Sequence, residues 1–265
     1  ACILTNDKLE LSNIPNLDDV KTMSKVLSSL GVEVNEDNIS ESKMTLSYKD
    51  SDQSVAEYDL VRKMRASVLV LGPLLARKRE ATVSLPGGCA IGARPIDIHI
   101  EALQRLGAEF SLEQGYIKCK ASKGLIGCEL DLPKISVGAS ENIIMAACLA
   151  KGESKIKNIA IEPEVIDLVD CLKSMGANIE LTESRTILIQ GVDEMKGTSH
   201  TIIPDRIEAL TYVIAGALNA ENLLIKDINI SHIQNVLDSL VKLNIAMEIK
   251  DNEISVKKTS IEEGI

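Results

Sequence analysis

Aromatic side chains are almost absent from this chain. Its 265 residues include no Trp, one Phe and four Tyr, although 45% of the sequence is hydrophobic. The core must therefore be built from Ile, Leu, Val, Ala and Met. Aromatic rings are also the platforms on which single-stranded nucleic acids stack, so their scarcity argues against such a ligand. We expect an aliphatic globular core.

Long apolar runs and an excess of positive charge are missing as well. The formal net charge is −10, which argues against binding to a nucleic-acid backbone, because phosphates are neutralised by clustered Lys and Arg. No apolar run approaches the roughly 20 residues that span a bilayer, and no signal peptide precedes the first structural elements. We therefore expect a cytoplasmic protein with no nucleic-acid or membrane partner. The length allows one large domain or two medium ones.

The chain has no cysteine or histidine pattern that is typical of a metal site. None of its six cysteines forms a CxxC pair and no histidine lies at zinc-finger spacing from them, so we expect no metal. Cys148 and Cys171 fall on apolar helical patterns and are expected in the core. Cys119 and Cys128 flank a turn, where a disulfide is compatible with the spacing but reduced thiols suit a cytosolic chain better. The three histidines have no evident carboxylate or serine partner and are assigned no chemistry.

Glycine and proline are concentrated at residues 85–97, which read Leu-Pro-Gly-Gly-Cys-Ala-Ile-Gly-Ala-Arg-Pro-Ile-Asp between a strand-like and a helix-like run. Glycine gives a loop backbone freedom. Cys89 lies near Arg94 and a helix N-terminus, both of which favour a thiolate. Pro95 suits the first helical turn, whose N–H groups attract an anion. The stretch predicts a mobile loop with a reactive cysteine beside an anion site; the alternative is an ordinary glycine-rich turn with an incidental cysteine.

A leucine-containing helix end followed by glycine recurs along the chain. Gly31, Gly107 and Gly176, with Asn244 as a fourth counterpart, are separated by 76, 69 and 68 residues, and each marks a helix C-terminus. Two short β-type runs follow each marker, and the order before it is strand, helix, strand, helix. The repeated unit is therefore βαβαββ. The first copy opens at residues 1–4, which match the tail of a unit's first helix, so we expect a fragment of a longer protein.

The two helices of a unit differ in polarity. Residues 137–150 are apolar almost all round, which is typical of a buried helix, whereas residues 163–175 have one apolar and one charged face. Three units around a pseudo-threefold axis, with helices inside and sheets outside, satisfy this pattern; a solenoid would share the period without burying one helix so completely. We expect a domain of three units at 1–203 and the first unit of a second, incomplete domain at 204–265. A strand at 200–203 is assigned to that fourth unit, whose first helix is also expected to be buried.

Cations and hydroxyl groups precede two of the buried helices. Lys134 and Ser136 stand before the third-unit helix, where they and the free N–H groups form an anion-binding design, although a plain Ser cap with a surface lysine explains them equally well. Arg65 stands at the start of the second-unit helix, the unfavourable end for a cation, which makes a functional anion contact plausible. Asp205 is a good N-cap for the fourth-unit helix.

Three of these stretches together resemble the UDP-N-acetylglucosamine 1-carboxyvinyltransferases, a family of bacterial enolpyruvyl transferases. They are Pro-Gly-Gly-Cys-Ala-Ile-Gly-Ala-Arg-Pro at 86–95, Lys-Met-Arg-Ala-Ser at 63–67 and Pro-Asp-Arg-Ile-Glu at 204–208. The resemblance covers the whole chain. It implies the enolpyruvyl transferase fold, a two-domain inside-out α/β barrel of six βαβαββ units. It also implies phosphoenolpyruvate and UDP-N-acetylglucosamine as substrates, no cofactor, and a role in peptidoglycan synthesis and hence in cell-wall biogenesis, cell shape and cell division.

The resemblance also assigns roles to individual residues. Cys89 matches the family's catalytic cysteine, described as the proton donor to the enolpyruvyl methylene and as the target of fosfomycin. Arg94 is also placed to meet the phosphate of phosphoenolpyruvate. The residues expected to bind the substrates are Arg65, Arg94, Pro95, Ile96, Asp97, Ile98, Lys134, Ile135, Ser136 and Val137.

The chain departs from the family in specific places. The family's Lys-Asn pair would lie before Ala1, and its proposed base aspartate and later arginines would lie beyond Ile265, so Asp205 is not that base. In the fourth unit Glu-Ala-Leu-Thr at 208–211 lacks the usual Thr-Gly, and Asn244 replaces the usual Gly. Two rival hypotheses therefore stand beside an active enzyme: an inactive fragment that retains only nucleotide-sugar binding, and a shikimate 3-phosphate enolpyruvyl transferase, which is weaker because that enzyme lacks this cysteine loop.

Overall fold

Four small sheets and the helices between them form the structure, a computed structural model that describes residues 1–35, 42–49, 55–56, 61, 64–84, 96–182 and 184–259. The strands are β1 Lys8–Ser12, β2 Val32–Asn35, β3 Lys43–Tyr48, β4 Val55–Ala56, β5 Glu80–Ser84, β6 Glu109–Glu113, β7 Tyr116–Lys120, β8 Glu129–Asp131, β9 Glu153–Lys157, β10 Asn178–Thr182, β11 Thr186–Gln190, β12 Thr198–Thr201, β13 Leu223–Ile225, β14 Met247–Lys250 and β15 Glu253–Val256. The α-helices are α1 Asp18–Ser29, α2 Leu71–Lys78, α3 Asp97–Arg105, α4 Val137–Ala147, α5 Pro163–Ser174, α6 Arg206–Asn219 and α7 Gln234–Lys242, and 3-10 turns span Cys2–Leu4, Arg65–Val70 and Ile230–His232. The chain divides into two compact units, Ala1–Ile202 and Ile203–Ile265.

The three sheets of the first unit share one strand plan. Their orders are β12-β1-β3-β2, β4-β5-β7-β6 and β8-β9-β11-β10, and in each the first pair is parallel while the other two are antiparallel. This repetition confirms the βαβαββ prediction. One assignment was wrong: the strand expected at 200–203 lies at 198–201 and pairs in parallel with β1, so it completes the first sheet instead of opening the fourth unit. The physical reason is that β1 needs the same parallel neighbour that β5 and β9 have.

Helix α4 lies at the centre of the first unit. Helices α2, α3 and α5 pack against it, and the sheets lie outside them. Its fully or nearly buried residues are Ala139, Ser140, Asn142, Ile143, Ile144, Met145, Ala146 and Ala147. Helices inside and sheets outside is the arrangement that the polarity of the helices predicts. Among the described residues, no helix has the length and apolar character that crossing a membrane requires.

The apolar pattern of the sequence predicts one helix over residues 64–76, and the structure divides it into two parts. A 3-10 turn covers Arg65–Val70 and the α-helix begins at Leu71. Pro73 has no N–H to donate to the carbonyl four residues back, so the α-helix can begin only where Pro73 falls in its first turn. Gly72 allows α2 to approach α4, because a Cβ at this position would lie 2.3 Å from the backbone oxygen of Asn142.

The described cysteines are free thiols, and most are buried. Burial raises the pKa of both Cys119 and Cys148 to about 12. Cys171 is also buried, so the prediction that Cys148 and Cys171 belong to the core is confirmed. Cys119 and Cys128 are not joined, as expected for reduced thiols.

The second unit has a small core of its own. Its sheet has the order β13-β15-β14, and the buried residues that hold it together are Ala209, Val213, Ile228, Ile233, Leu237 and Ile254. Helix α6 exposes Ile207 to 57% and Tyr212 to 54%. The expectation that the fourth unit's first helix is buried is therefore wrong for one face of α6, because the described elements of this unit cover only the other face.

Candidate active site

The structure describes eight of the residues expected at the site. Arg65 stands at one helical start, residues 96–98 at a second and residues 134–137 at a third. Cys89, Arg94 and Pro95 lie outside the described residues. The arrangement of the site is therefore built from the starts of the 3-10 turn at Arg65–Val70, of α3 and of α4.

Helix α3 begins with an exposed aspartate between two buried isoleucines. Ile96 is 8% exposed and Ile98 is 4% exposed, and Asp97 between them faces solvent. The two isoleucine side chains fix the first turn in the core and leave the Asp97 carboxylate outside. A carboxylate at this end also interacts favourably with the helix dipole.

Helix α4 begins from an exposed segment. Lys134 and Ile135 are exposed, and Ile135 is an apolar side chain 45% open to solvent. The Oγ of Ser136 accepts a hydrogen bond from the Ala139 N–H at 3.4 Å, so Ser136 is the N-cap. Val137 follows as the first helical residue and is half-buried. The first N–H groups of a helix have no acceptor within the helix, so this terminus attracts anions.

Asn142 joins the three segments from inside the core. Its Oδ1 accepts a hydrogen bond from the Gly72 N–H at 2.7 Å, and its Nδ2 donates to the Val68 carbonyl at 3.0 Å. The same Nδ2 lies 2.9 Å from Nδ1 of His99. Asn142 is completely buried. One side chain on α4 thus holds the 3-10 turn, the start of α2 and the first turn of α3.

His99 is a neutral imidazole at this junction. It is 5% exposed, and burial first, then the positive charge of Arg65, lower its pKa to about 4, against the opposing effect of the Asp97 carboxylate. Its ring packs on the start of α4: a Cβ at Gly138 would lie 3.2 Å from Cε1 and 3.5 Å from Nε2 of His99. The sequence analysis assigned His99 no chemistry. Its position in the first turn of the helix that follows the glycine-rich stretch is the sequence feature that indicates a place near the candidate site.

These segments together form a region whose features suit an anion. Arg65 and Lys134 supply positive charge, and α3 and α4 supply helix N-termini. The region includes every described residue that the sequence analysis expected at the site, and it adds His99 and Asn142.

A cavity in the first unit is lined in part by the end of the 3-10 turn, at Leu69 and Val70, and by Pro73 of α2. It has a volume of about 310 Å³ and is lined mainly by apolar side chains, together with Glu141, Glu164, Asp167 and His200. Nε2 of His200 lies 3.0 Å from Oδ1 of Asp167. The sequence analysis found no carboxylate partner for any histidine, which is wrong for His200, because β12 and α5 are brought together only by the fold.

The sequence family described as EPSP synthase (3-phosphoshikimate 1-carboxyvinyltransferase) matches residues 1–264. The chain belongs to this family. The UDP-N-acetylglucosamine 1-carboxyvinyltransferase of Pelagibacter ubique is 48% identical over 259 residues, and that of Ruegeria pomeroyi is 53% identical over 219 residues.

The chain spans only part of these relatives. The Pelagibacter alignment covers 97% of this chain and 61% of the relative, and the Ruegeria alignment covers 82% and 52%. The family resemblance drawn from the three sequence motifs is confirmed by these matches.

Two solved structures share the fold. The enolpyruvyl transferase NikO from Streptomyces tendae superposes with a TM-score of 0.86 at 20% identity, covering 98% of this chain and 62% of NikO. EPSP synthase from Acinetobacter baumannii superposes with a TM-score of 0.73 at 18% identity, covering 96% and 60%. At these identities the likeness concerns the fold alone, and the expected enolpyruvyl transferase fold is confirmed.

Proposed function

We propose that this protein transfers the enolpyruvyl group of phosphoenolpyruvate to the 3-hydroxyl of UDP-N-acetylglucosamine and so serves peptidoglycan synthesis. The observation that carries the proposal is the 48% and 53% identity to relatives named for this reaction. The proposal includes a cytoplasmic location, a role in cell shape and division, and sensitivity to fosfomycin.

The described part of the site supports a nucleotide sugar as the ligand. Two helix N-termini and the cations Arg65 and Lys134 suit a diphosphate, which carries negative charge on several oxygens. The exposed Ile135 offers apolar contact beside them. We assign substrate binding to Arg65, Arg94, Pro95, Ile96, Asp97, Ile98, Lys134, Ile135, Ser136 and Val137.

The reaction needs an acid for its first step. The sugar 3-hydroxyl gives its proton to a base and its oxygen adds to C2 of phosphoenolpyruvate, while the Cys89 thiol gives its proton to C3, which becomes a methyl group. The bond from C2 to the phosphate oxygen then breaks and the methyl group loses a proton, which restores the double bond and releases inorganic phosphate. A positioned general acid typically contributes about 10²–10⁴-fold.

We further propose that residues 1–203 form the domain that carries the cysteine loop and that 204–265 begin a second domain. The division into compact units after Ile202 supports this boundary. The two rivals remain an inactive fragment that only binds nucleotide sugars and an enzyme for shikimate 3-phosphate. The names of the relatives disfavour the second rival.

Fosfomycin labelling tests the proposal with the full chain. Intact mass is measured after treatment with and without UDP-N-acetylglucosamine, with Cys89→Ser as the control. We expect a single adduct on Cys89 that forms faster with the nucleotide sugar. Cys119 and Cys148 serve as internal controls, because burial raises the pKa of each thiol to about 12 and suppresses its reaction. No adduct, or labelling of several cysteines, would contradict the proposal.

Phosphate release separates the remaining rivals. The chain is incubated with phosphoenolpyruvate and either UDP-N-acetylglucosamine or shikimate 3-phosphate. Release with the nucleotide sugar alone supports the proposal. Release with shikimate 3-phosphate overturns it. Binding of the nucleotide sugar without any release identifies the inactive fragment.

A further inference from the structure

The 3-10 turn at Arg65–Val70 has little support from its own side chains. It spans six residues, whereas 3-10 runs longer than about three to four residues are uncommon because their hydrogen bonds have poor geometry. Among the described residues, Met64 caps the turn with no side-chain hydrogen bond, and the buried hydroxyl of Ser67 has no hydrogen-bond partner. The conformation of the turn therefore depends on the segments that pack against it.

Asn142 supplies such support from α4. Its Nδ2 donates to the Val68 carbonyl inside the turn at 3.0 Å, and its Oδ1 accepts from the Gly72 N–H at 2.7 Å, where α2 begins. The Gly72 N–H can only donate and the Val68 carbonyl can only accept, so the amide has one orientation. The two bonds hold the turn at the side where it joins α2.

The same amide reaches the surroundings of the Arg65 charge. Nδ2 of Asn142 lies 2.9 Å from Nδ1 of His99. Arg65 is close enough to His99 for its positive charge to lower the pKa of the imidazole. Arg65 is half-buried and is the first residue of the turn, so the backbone of the turn decides where its guanidinium can reach. Asn142 thus fixes both the backbone that carries Arg65 and a ring near its charge.

We propose that Asn142 is a positioning residue for the nucleotide sugar: it holds the turn that begins at Arg65, and thereby holds the Arg65 guanidinium where it binds the ligand. The proposal rests on the proposed function, which supplies the nucleotide sugar and assigns its binding to Arg65. Asn142 is completely buried, so it acts through the turn and not by contact with the ligand. Precise placement matters because a displacement of about 1 Å can cost about a hundredfold in catalysis.

Calorimetric titration of the full chain with UDP-N-acetylglucosamine tests this role. We expect Asn142→Ala to weaken binding about tenfold, because the turn loses its support and Arg65 is displaced. The matched control is Ser140→Ala. Ser140 is also completely buried on α4, and its Oγ accepts from the Ala160 N–H at 2.9 Å, outside the candidate site. This variant also removes a buried hydrogen bond, and it should change the affinity by less than about twofold.

A double-mutant cycle shows whether Asn142 acts through Arg65. In the Arg65→Ala chain, Asn142→Ala should change the affinity by less than about twofold, because the group that it positions is gone. In the Lys134→Ala chain Arg65 is still present, so the loss of about tenfold should persist. A merely structural role would weaken binding equally in both chains, and that result would overturn the proposal.

Side-chain amide NMR needs no change at Asn142 and decides the matter even where Asn142→Ala does not fold. The two Nδ2 protons of Asn142 are observed as UDP-N-acetylglucosamine is added. We expect both signals to shift in the unmodified chain, because the ligand binds Arg65 and the turn is bonded to Nδ2. At saturating ligand the Arg65→Ala chain should show no such shift. Unmoved signals in the unmodified chain, or equal shifts in both chains, would contradict the role of Asn142.

The outcomes separate this role from the proposed function. Binding of UDP-N-acetylglucosamine with the expected cycle, but without phosphate release from phosphoenolpyruvate, supports the role of Asn142 and contradicts the proposed reaction alone. Phosphate release together with equal losses in the two chains of the cycle contradicts the role of Asn142 alone. A chain that does not bind UDP-N-acetylglucosamine contradicts both.

Discussion

Helices α4 and α6 hold the same place in the repeated unit but differ in their surroundings. Both follow a capping residue and both have an apolar composition. α4 is enclosed by three other helices, whereas α6 leaves Ile207, Ile214 and Leu218 between 45% and 57% exposed. Composition alone therefore does not decide whether a helix is buried. The neighbours that the fold supplies decide it.

The two helices also differ in the contacts of the sixth residue after each N-cap. After Ser136 this residue is Asn142, which is fully buried and bonded to three other segments. After Asp205 it is Thr211, which is exposed and donates only to the Ile207 carbonyl of its own helix at 2.7 Å. One residue holds the candidate site together, and the other belongs to a local turn.

Replacement of these two residues should give the largest contrast. We expect Asn142→Leu to lower the free energy of unfolding by about 3–5 kcal/mol, because it leaves the buried Gly72 N–H and Val68 carbonyl without partners. Thr211→Leu should change it by less than about 0.5 kcal/mol, as usual for an exposed position.

Hydrogen exchange with mass spectrometry can follow the two helices separately. Asn142→Leu should speed exchange in α2, α3 and α4 and leave α6 unchanged. Thr211→Leu should affect no peptide outside α6. Equal protection of α4 in both variants would show that the Asn142 network does not support the core.

A half-buried carboxyl gives the next largest effect. Burial first, then the neighbouring Glu164, raises the pKa of Glu141 on α4 to about 7 from 4.5. The folded chain therefore holds a proton that the unfolded chain has lost between these values, so stability falls as the pH rises from 4.5 to 7. The counterpart on α6 is Leu210, which does not titrate.

Glu141→Gln removes this pH dependence. At pH 8 the variant should be more stable than the unmodified chain by about 1–3 kcal/mol, allowing for partial exposure of the carboxyl. At pH 4 the two should be nearly equal, because both side chains are neutral. Denaturant unfolding across this range measures the difference. A constant offset at all pH values would contradict a raised pKa.

For the N-caps, the larger loss of stability is expected in α6 and the smaller one in α4. Asp205 Oδ1 accepts from the Ile207 and Glu208 N–H groups at 2.8 and 3.1 Å, whereas Ser136 makes one longer bond of 3.4 Å. We expect Asp205→Ala to cost about 1 kcal/mol and Ser136→Ala about half of that or less. Hydrogen exchange in the first turn of each helix tests this order. A larger loss from Ser136→Ala would contradict it.

Local features of the fold could be predicted because they depend on nearby residues. Gly107 and Gly176 close their helices with φ of 96° and 97°, and Asn244 does so with φ of 58°. The second β-type run after Gly176 predicts a strand at 186–190, and the strand has these bounds in the structure. The 3-10 turn at Arg65–Val70 was missed because its cause, the position of Pro73, competes with an otherwise helical apolar pattern.

The contacts that build the candidate site could not be predicted in the same way. His99 and Asn142 lie 43 residues apart, and Asn142 and Val68 lie 74 apart. Periodicity identifies faces of helices but not which buried polar side chains meet across them. The parallel pairing of β12 with β1, 189 residues away in the pair of Leu9 and Thr198, was missed for the same reason.

The exposed face of α6 gives the smallest effect on stability. Ile207 and Ile214 are 57% and 45% exposed, so Ile207→Lys with Ile214→Lys removes little buried apolar area and should change unfolding by less than about 0.5 kcal/mol. The same double change should lower binding of the dye 1-anilinonaphthalene-8-sulfonate, which adsorbs to exposed apolar patches. Ile144→Lys on α4 is the matched control, since Ile144 is fully buried. It should unfold the first unit and raise dye binding, because exposure of an apolar side chain depends on its neighbours and not on its place in the repeat.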